Sequence, residues 1–102
     1  MSPSILFVTC PNYKSADKIS EVLLKKKLIA CAKVSSVKSA YWWKGKMEKS
    51  SEVLMTLTAR TNDYSKIEKE IKRLHPYDVP EIISFKVKGS KDYLDWISEV
   101  VK

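Results

Sequence analysis

From Ala30 to Lys44, and again from Met47 to Ala59, the chain reads as extended strand on either side of a single glycine, Gly45. Alternation at period two marks a half-covered β-strand, and glycine accepts the positive φ that a two-residue hairpin turn demands. The segment therefore reads as one long hairpin that reverses within Lys44-Gly45-Lys46. A strand of about fifteen residues reaches roughly 45–50 Å at ~3.3 Å per residue, whereas a 100-residue globule has a radius of gyration of only ~13 Å. Such a hairpin outruns the body that carries it. Within its first strand Ala30, Ala32 and Val34 share one parity and Val37, Tyr41 and Trp43 the other, so a bulge near Ser35-Ser36 is expected. The return strand keeps Met47, Val53, Met55, Leu57 and Ala59 on one face, and Leu54 breaks the polar character of the other.

The hairpin tip carries Tyr41, Trp42 and Trp43. Isolated two-stranded ribbons are marginally stable in water, and large exposed rings mark an interaction surface. The least demanding cover is a second copy of the chain, a ribbon added to a neighbour's sheet edge. A homo-oligomer with these three rings as interface residues is expected. The competing reading folds the hairpin back onto its own core through the bulge.

Around the hairpin the remaining elements are short. Ser4 to Cys10 is an almost continuous apolar run stopped by Pro11 and Asn12, as for a central strand covered on both faces. Ser15 is placed to cap a helix that carries Asp17 in its first turn, buries Ala16, Ile19, Val22 and Leu23, and ends near Leu28 after Lys25, Lys26 and Lys27. Asn62 or Asp63 opens a second helix with the stripe Tyr64, Ile67, Ile71 and Leu74, and Glu68 can pair with Lys72. Pro76 stops it, and His75 to Pro80 forms a rigid connector into a strand over Glu81 to Val87. A last helix follows Ser90, with Tyr93, Leu94, Ile97, Val100 and Val101 as apolar contacts. The order βαββαβα implies an α+β, ferredoxin-like sandwich with an extra C-terminal helix, one domain over residues 1–102.

Composition narrows the classes. Nineteen Lys/Arg against twelve Asp/Glu leave a net charge of +7 in 102 residues, 44% of them hydrophobic, which excludes disordered and low-complexity chains. No apolar run approaches the ~20 residues of a membrane span, and Met1-Ser2-Pro3-Ser4 does not resemble a signal peptide, so a cytoplasmic protein is expected. Cys10 and Cys31 stand too far apart for a Cys-x-x-Cys site and are expected as free thiols.

In a sheet of strand order 4-1-3-2, Cys10, the Trp42-Trp43 tip, Met47-Glu48 and the connector from His75 to Glu81 converge at one end. A thiolate, an imidazole and carboxylates suit copper or zinc, so Cys10, His75 and Glu81 are the candidate metal ligands, with a subunit junction able to supply more. The bland counterparts are a histidine capping the last carbonyls of a helix and a cysteine packed as a small hydrophobe. A Cys10–His75 nucleophile pair lacks a third orienting group, and no enzyme is expected. The lysines Lys38, Lys44, Lys46 and Lys49 beside aromatic rings raise RNA binding, but Met47 to Arg60 contains no aromatic for base stacking, so no specific nucleic acid is expected.

Four segments occur in order: Leu28-Ile29-Ala30-Cys31-Ala32, Tyr41-Trp42-Trp43-Lys44-Gly45-Lys46, Leu74-His75-Pro76-Tyr77-Asp78-Val79-Pro80-Glu81, and Asp92-Tyr93-Leu94-Asp95-Trp96-Ile97. Together they resemble the CutA family of divalent-cation-tolerance proteins over nearly the whole chain. The resemblance implies a ferredoxin-like fold assembled as a homotrimer through the long hairpins, similar in outline to the PII signalling trimers. It also implies a role in tolerance of copper and other divalent ions. The family's proposed copper site uses a first-strand cysteine and two successive histidines. His75 matches the second histidine, while Leu74 and Val8 occupy the other two positions. The expected function is a homotrimeric module for divalent metal tolerance or signalling, without turnover and with no cofactor required for folding. The alternative is a PII-like regulatory trimer that binds a small anion or a protein at its subunit clefts.

Overall fold

A computed structural model describes residues 1–102. Its elements are β1 (Pro3–Cys10), α1 (Tyr13–Lys25), β2 (Cys31–Trp43), β3 (Lys46–Arg60), a 3-10 turn (Thr61–Asp63), α2 (Tyr64–Leu74), β4 (Ile82–Lys86) and α3 (Lys91–Val100). The four strands form one antiparallel sheet of order β2-β3-β1-β4, the topology expected of a ferredoxin-like α+β sandwich. No helix is long and apolar enough to cross a membrane.

One sheet face makes the core. Leu6, Val8 and Cys10 of β1 stand opposite Leu57, Met55 and Val53 of β3 and pack on Ala16, Ile19 and Leu23 of α1 and Ile67 and Ile71 of α2. All are buried, and each large aliphatic side chain contributes about 1.5–3 kcal/mol by leaving water. The second face of β1 differs from expectation. Ile5, Phe7 and Thr9 are only half-buried, and Phe7 meets Phe85 of β4 edge-on at 5.3 Å between ring centroids. Ile83 and Phe85 share that open face and remain exposed, while α3 lies against β3, with Ile97 buried on it and Val101 buried just beyond it.

Helix ends refine the sequence reading. Asn12, not Ser15, caps α1: its Oδ1 accepts the Ser15 N–H at 2.9 Å, and the helix begins at Tyr13. The helix also stops earlier than expected, at Lys25, because Lys27 turns left-handed at φ 61°. The Leu28 N–H then reaches the Leu23 carbonyl at 3.1 Å, and the Lys27 N–H reaches that of Leu24 at 3.0 Å, a paired closure usually served by glycine. Asp63 precedes α2 but does not cap it with its side chain; buried, it accepts from Arg60 Nε at 2.9 Å. Glu70 ties the two helices, facing Arg73 at 2.8 Å and Lys26 at 3.0 Å, and these cations hold its carboxyl down at about 2.

The bulge expected near Ser35-Ser36 is absent. Pairing runs unbroken from Cys31↔Thr58 to Trp43↔Lys46, and the turn is a two-residue one with Lys44 at φ 50° and Gly45 at φ 78°. The change of parity in β2 has another cause. Ala32 and Val34 face the helices; beyond Ser36 the ribbon leaves the helices behind, and the opposite face, at Val37 and Ser39, gains partial cover. Pairing of β1 with β3 ends at Cys10↔Val53, so the segment from Val37↔Glu52 to Trp43↔Lys46 is a ribbon with no third strand. It stretches the molecule to 44 × 24 × 22 Å.

Two of the three left-handed positions, Lys27 and Gly45, give opposite expectations. Lys27→Gly removes the clash of a Cβ in left-handed backbone and should raise stability by about 0.5–1 kcal/mol, a few degrees in Tm for a domain of this size. Gly45→Ala should lower stability by about 1 kcal/mol for the same reason. Thermal unfolding followed by circular dichroism checks both signs.

Candidate functional site

Pro76 ends α2 because it lacks an N–H and biases the residue before it toward extended geometry. His75 accordingly sits at φ −78°, ψ 136°, and its N–H closes the helix on the Ile71 carbonyl at 2.8 Å. That bend turns the imidazole toward the C-terminal end of β1. Nε2 lies 2.7 Å from the Thr9 carbonyl oxygen, which only accepts, so Nε2 carries the proton. Nδ1 in turn accepts the Tyr77 N–H at 3.1 Å. Both ring nitrogens are thus engaged by backbone, and the tautomer follows from the partners.

Cys10 lies under this ring. Its Sγ is 3.7 Å from His75 Nε2, and its S–H points at Met55 Sδ, 3.5 Å away. Burial, followed by the nearby Glu52 carboxylate, pushes the Cys10 thiol from 9.0 up to about 11. A thiol held protonated and inaccessible in this way is a poor nucleophile and a reluctant ligand. The two soft groups foreseen from the sequence are therefore brought together, but Glu81 does not join them. It lines a neighbouring cleft, and no group of three His, Cys, Asp or Glu side chains gathers in position to hold a metal ion. Ligation through Nε2 would require its proton to move to Nδ1, where the Tyr77 N–H already points.

The cleft lies between the ribbon and the connector that follows α2, and it encloses about 780 Å³. Tyr41 and Trp43 line it from the ribbon; Tyr77, Asp78 and Glu81 line it from the connector. At its wall is Glu52, only 7% exposed, whose Oε2 accepts the Tyr77 phenol at 2.7 Å. Burial and the Glu52 carboxylate hold the Tyr77 proton well above the usual phenol range. Glu52, Tyr77 and Met55 were missed as site residues in the sequence. The available signal was the parity of β2, since Val37, Tyr41 and Trp43 share the face of Glu52.

The three candidate interface rings do not form one patch. Strand alternation puts Tyr41 and Trp43 on the cleft side, each 41% exposed, and Trp42 on the other side, 72% exposed and directly opposite Met47.

A pH dependence follows from the raised thiol and phenol. The unfolded chain releases the Cys10 proton near 9.0 and the folded chain near 11, so between these values the unfolded state binds fewer protons and stability falls as pH rises. Tyr77 acts in the same direction at higher pH. Tm should decline from pH 8.5 to 10.5, and Cys10→Ala should flatten part of that decline; an unchanged slope in the variant would show that the thiol does not contribute.

Comparison with known proteins accounts for the whole architecture. Residues 4–100 match the family model described as CutA1 divalent ion tolerance protein. The divalent-cation tolerance protein CutA of Pyrococcus horikoshii is 42% identical over 99 residues, covering 96% of this chain and 97% of the relative. The solved structure described as the periplasmic divalent cation tolerance protein CutA from Archaeoglobus fulgidus superposes with a TM-score of 0.96 at 35% identity, covering 98% of this chain and 99% of that one. The crystal structure of CutA1 from Oryza sativa superposes at 0.95 with 29% identity, covering 100% and 95%. With matched sequence, matched strand order and coverage from end to end, the chain belongs to the CutA1 divalent ion tolerance family.

Proposed function

We propose that this chain acts in divalent-cation tolerance as a homotrimeric metal-binding or signalling module without catalytic turnover, taking copper-type or other divalent ions where subunits meet. The observation that carries this reading, beside family membership, is the placement of the Cys10–His75 pair next to a cleft bearing Glu52, Asp78 and Glu81. On a chain of net charge +7 that end gathers carboxylates with Lys38 as the one cationic side chain in the cleft lining. One chain supplies too few converging donors for a closed site, so a second subunit completes the set.

Assembly is favoured by the ribbon itself. Trp42 and Met47 are exposed on one side of a two-stranded segment that no third strand supports, and β2 offers an unpaired edge along its length. Edge addition by a sister ribbon satisfies both. The buried thiol, with its proton held to about 11, favours a role without turnover. The PII-like alternative, a small anion in the cleft, has only Lys38 in its favour there.

Two measurements test this. Calorimetric titration of chelator-stripped protein with copper and zinc should give saturable heat that His75→Ala abolishes; no heat, or heat unchanged by the variant, would count against ligation. Native mass measurement should find a species three times 11.7 kDa, and Trp42→Ala should shift it toward the monomer. A predominantly 11.7 kDa species in the unaltered protein would overturn the trimer.

A further inference from the structure

We propose that the outer face of the α1–α2 layer is a docking surface for the phosphate backbone of nucleic acid, bound without reading of base sequence, and that Lys26, Lys27, Lys66 and Lys69 form its centre. The face lies on the helix side of the sheet, away from the ribbon and its cleft, so neither metal ligation nor the joining of subunits through the ribbon bears on it.

The charge of the chain is unevenly placed. α1 with the two lysines that follow it, together with α2, holds nine Lys/Arg against four Asp/Glu, which is five of the seven net positive charges. Residues 75–102 hold four against five. Within the helix layer three of the four carboxylates are already engaged: Glu21 by Lys25, Glu68 by Lys72, and Glu70 by Lys26 and Arg73. Lys27, Lys66 and Lys69 are exposed and take part in none of the chain's ion pairs. Lys26, Lys66 and Lys69 meet around a depression of about 440 Å³ that Leu28 also lines.

Two of these lysines stand where folding alone disfavours them. Lys27 holds left-handed backbone at φ 61°, a position that glycine would relax. Lys66 lies in the first turn of α2, at the positive end of the helix dipole, and no acidic residue accompanies it there. Lys25 and Lys26 need no such account, because the C-terminal end of α1 favours cations. Stability forgone at two separate points that both bring charge to one surface is explained by a ligand and not by packing.

The side chains select the kind of anion. Lysine is a point charge on a flexible stem, suited to phosphate oxygens and not to the paired hydrogen bonds that read a base edge. Two helices side by side, each roughly 10–12 Å across, are also too broad for a major groove about 12 Å wide, so contact falls on the backbone. A membrane surface would ask for apolar insertion beside the charge. Beyond Tyr13, whose hydroxyl meets that of Ser36, Leu24 is the one large apolar side chain that these helices expose.

The probe is a fluorescently labelled duplex DNA of mixed sequence, roughly 20 base pairs long, titrated with the full chain at about 50 mM salt and followed by anisotropy. Binding should saturate in the micromolar range and weaken steeply as salt rises. Lys66→Gln combined with Lys69→Gln should weaken it about tenfold and lower the slope of log affinity against log salt by about 2. Lys44→Gln combined with Lys46→Gln removes the same charge at the hairpin turn and should change affinity less than about twofold. Lys27→Gly should bind several-fold more weakly while its Tm rises, which separates lost binding from lost folding. The proposal is overturned by absence of saturable binding, by equal weakening in the two double variants, which would mark net charge alone, or by unchanged affinity in Lys27→Gly. It is also overturned if vesicles containing phosphatidylserine bind through these lysines and the duplex does not, which would mark a membrane surface.

Discussion

The structure depends on a difference in strand length. β1 ends its pairing at Cys10↔Val53, while β2 and β3 continue together to Trp43↔Lys46. Hydrogen bonding along that extension is complete between two strands and absent on either side. Everything distinctive about the molecule follows: rings exposed on both faces of the ribbon, a β3 edge left unpaired beyond Val53, and a hollow where β1 would have continued. The connector after α2 fills part of that hollow, and the remainder is the cleft.

The connector is held there by a short chain of polar contacts. His75 receives the Tyr77 N–H on one nitrogen and gives its proton to the Thr9 carbonyl with the other, and the Tyr77 phenol then reaches Glu52 on β3. Helix end, strand end and ribbon are thereby joined through three side chains. Pro76 makes this possible by ending α2 at the right residue, since one further helical turn would carry the imidazole away from β1. The same contacts explain why His75 is costly to recruit as a ligand: a metal at Nε2 competes with a satisfied backbone carbonyl. Cys10 meets a similar obstacle in its raised thiol and complete burial.

Membership of the CutA1 family and the local chemistry answer different questions. The first places the chain among proteins described by divalent-cation tolerance. The second concerns which atoms meet a ligand, and on this chain the most exposed chemistry is carboxylate and aromatic rather than thiol and imidazole. The two faces of the ribbon divide the labour: Trp42 and Met47 face away from the cleft, whereas Tyr41 and Trp43 line it.

Local pattern was sufficient for most of the fold. Alternation around Gly45 located the hairpin and its turn, the stripe Tyr64, Ile67, Ile71 and Leu74 located α2, and the element order implied the strand order that is observed. These features were legible because each depends on neighbours a few residues apart. Helix ends were less legible: Asn12 rather than Ser15 caps α1, and a lysine takes a position normally given to glycine. The parity change in β2 was visible as a pattern but not in its meaning, because a bulge and an exchange of covered faces leave the same trace in one strand. Only the tertiary structure decided between them, since the unbroken β2–β3 pairing and the change of covered face depend on elements distant in sequence. It also decided the site. His75 and Cys10 could be expected at one end of the sheet, but Glu52, Tyr77 and Met55 became partners through contacts 25 to 45 residues apart in sequence, and no spacing rule encodes a contact that forms only when a helix, a strand and a ribbon end at the same place.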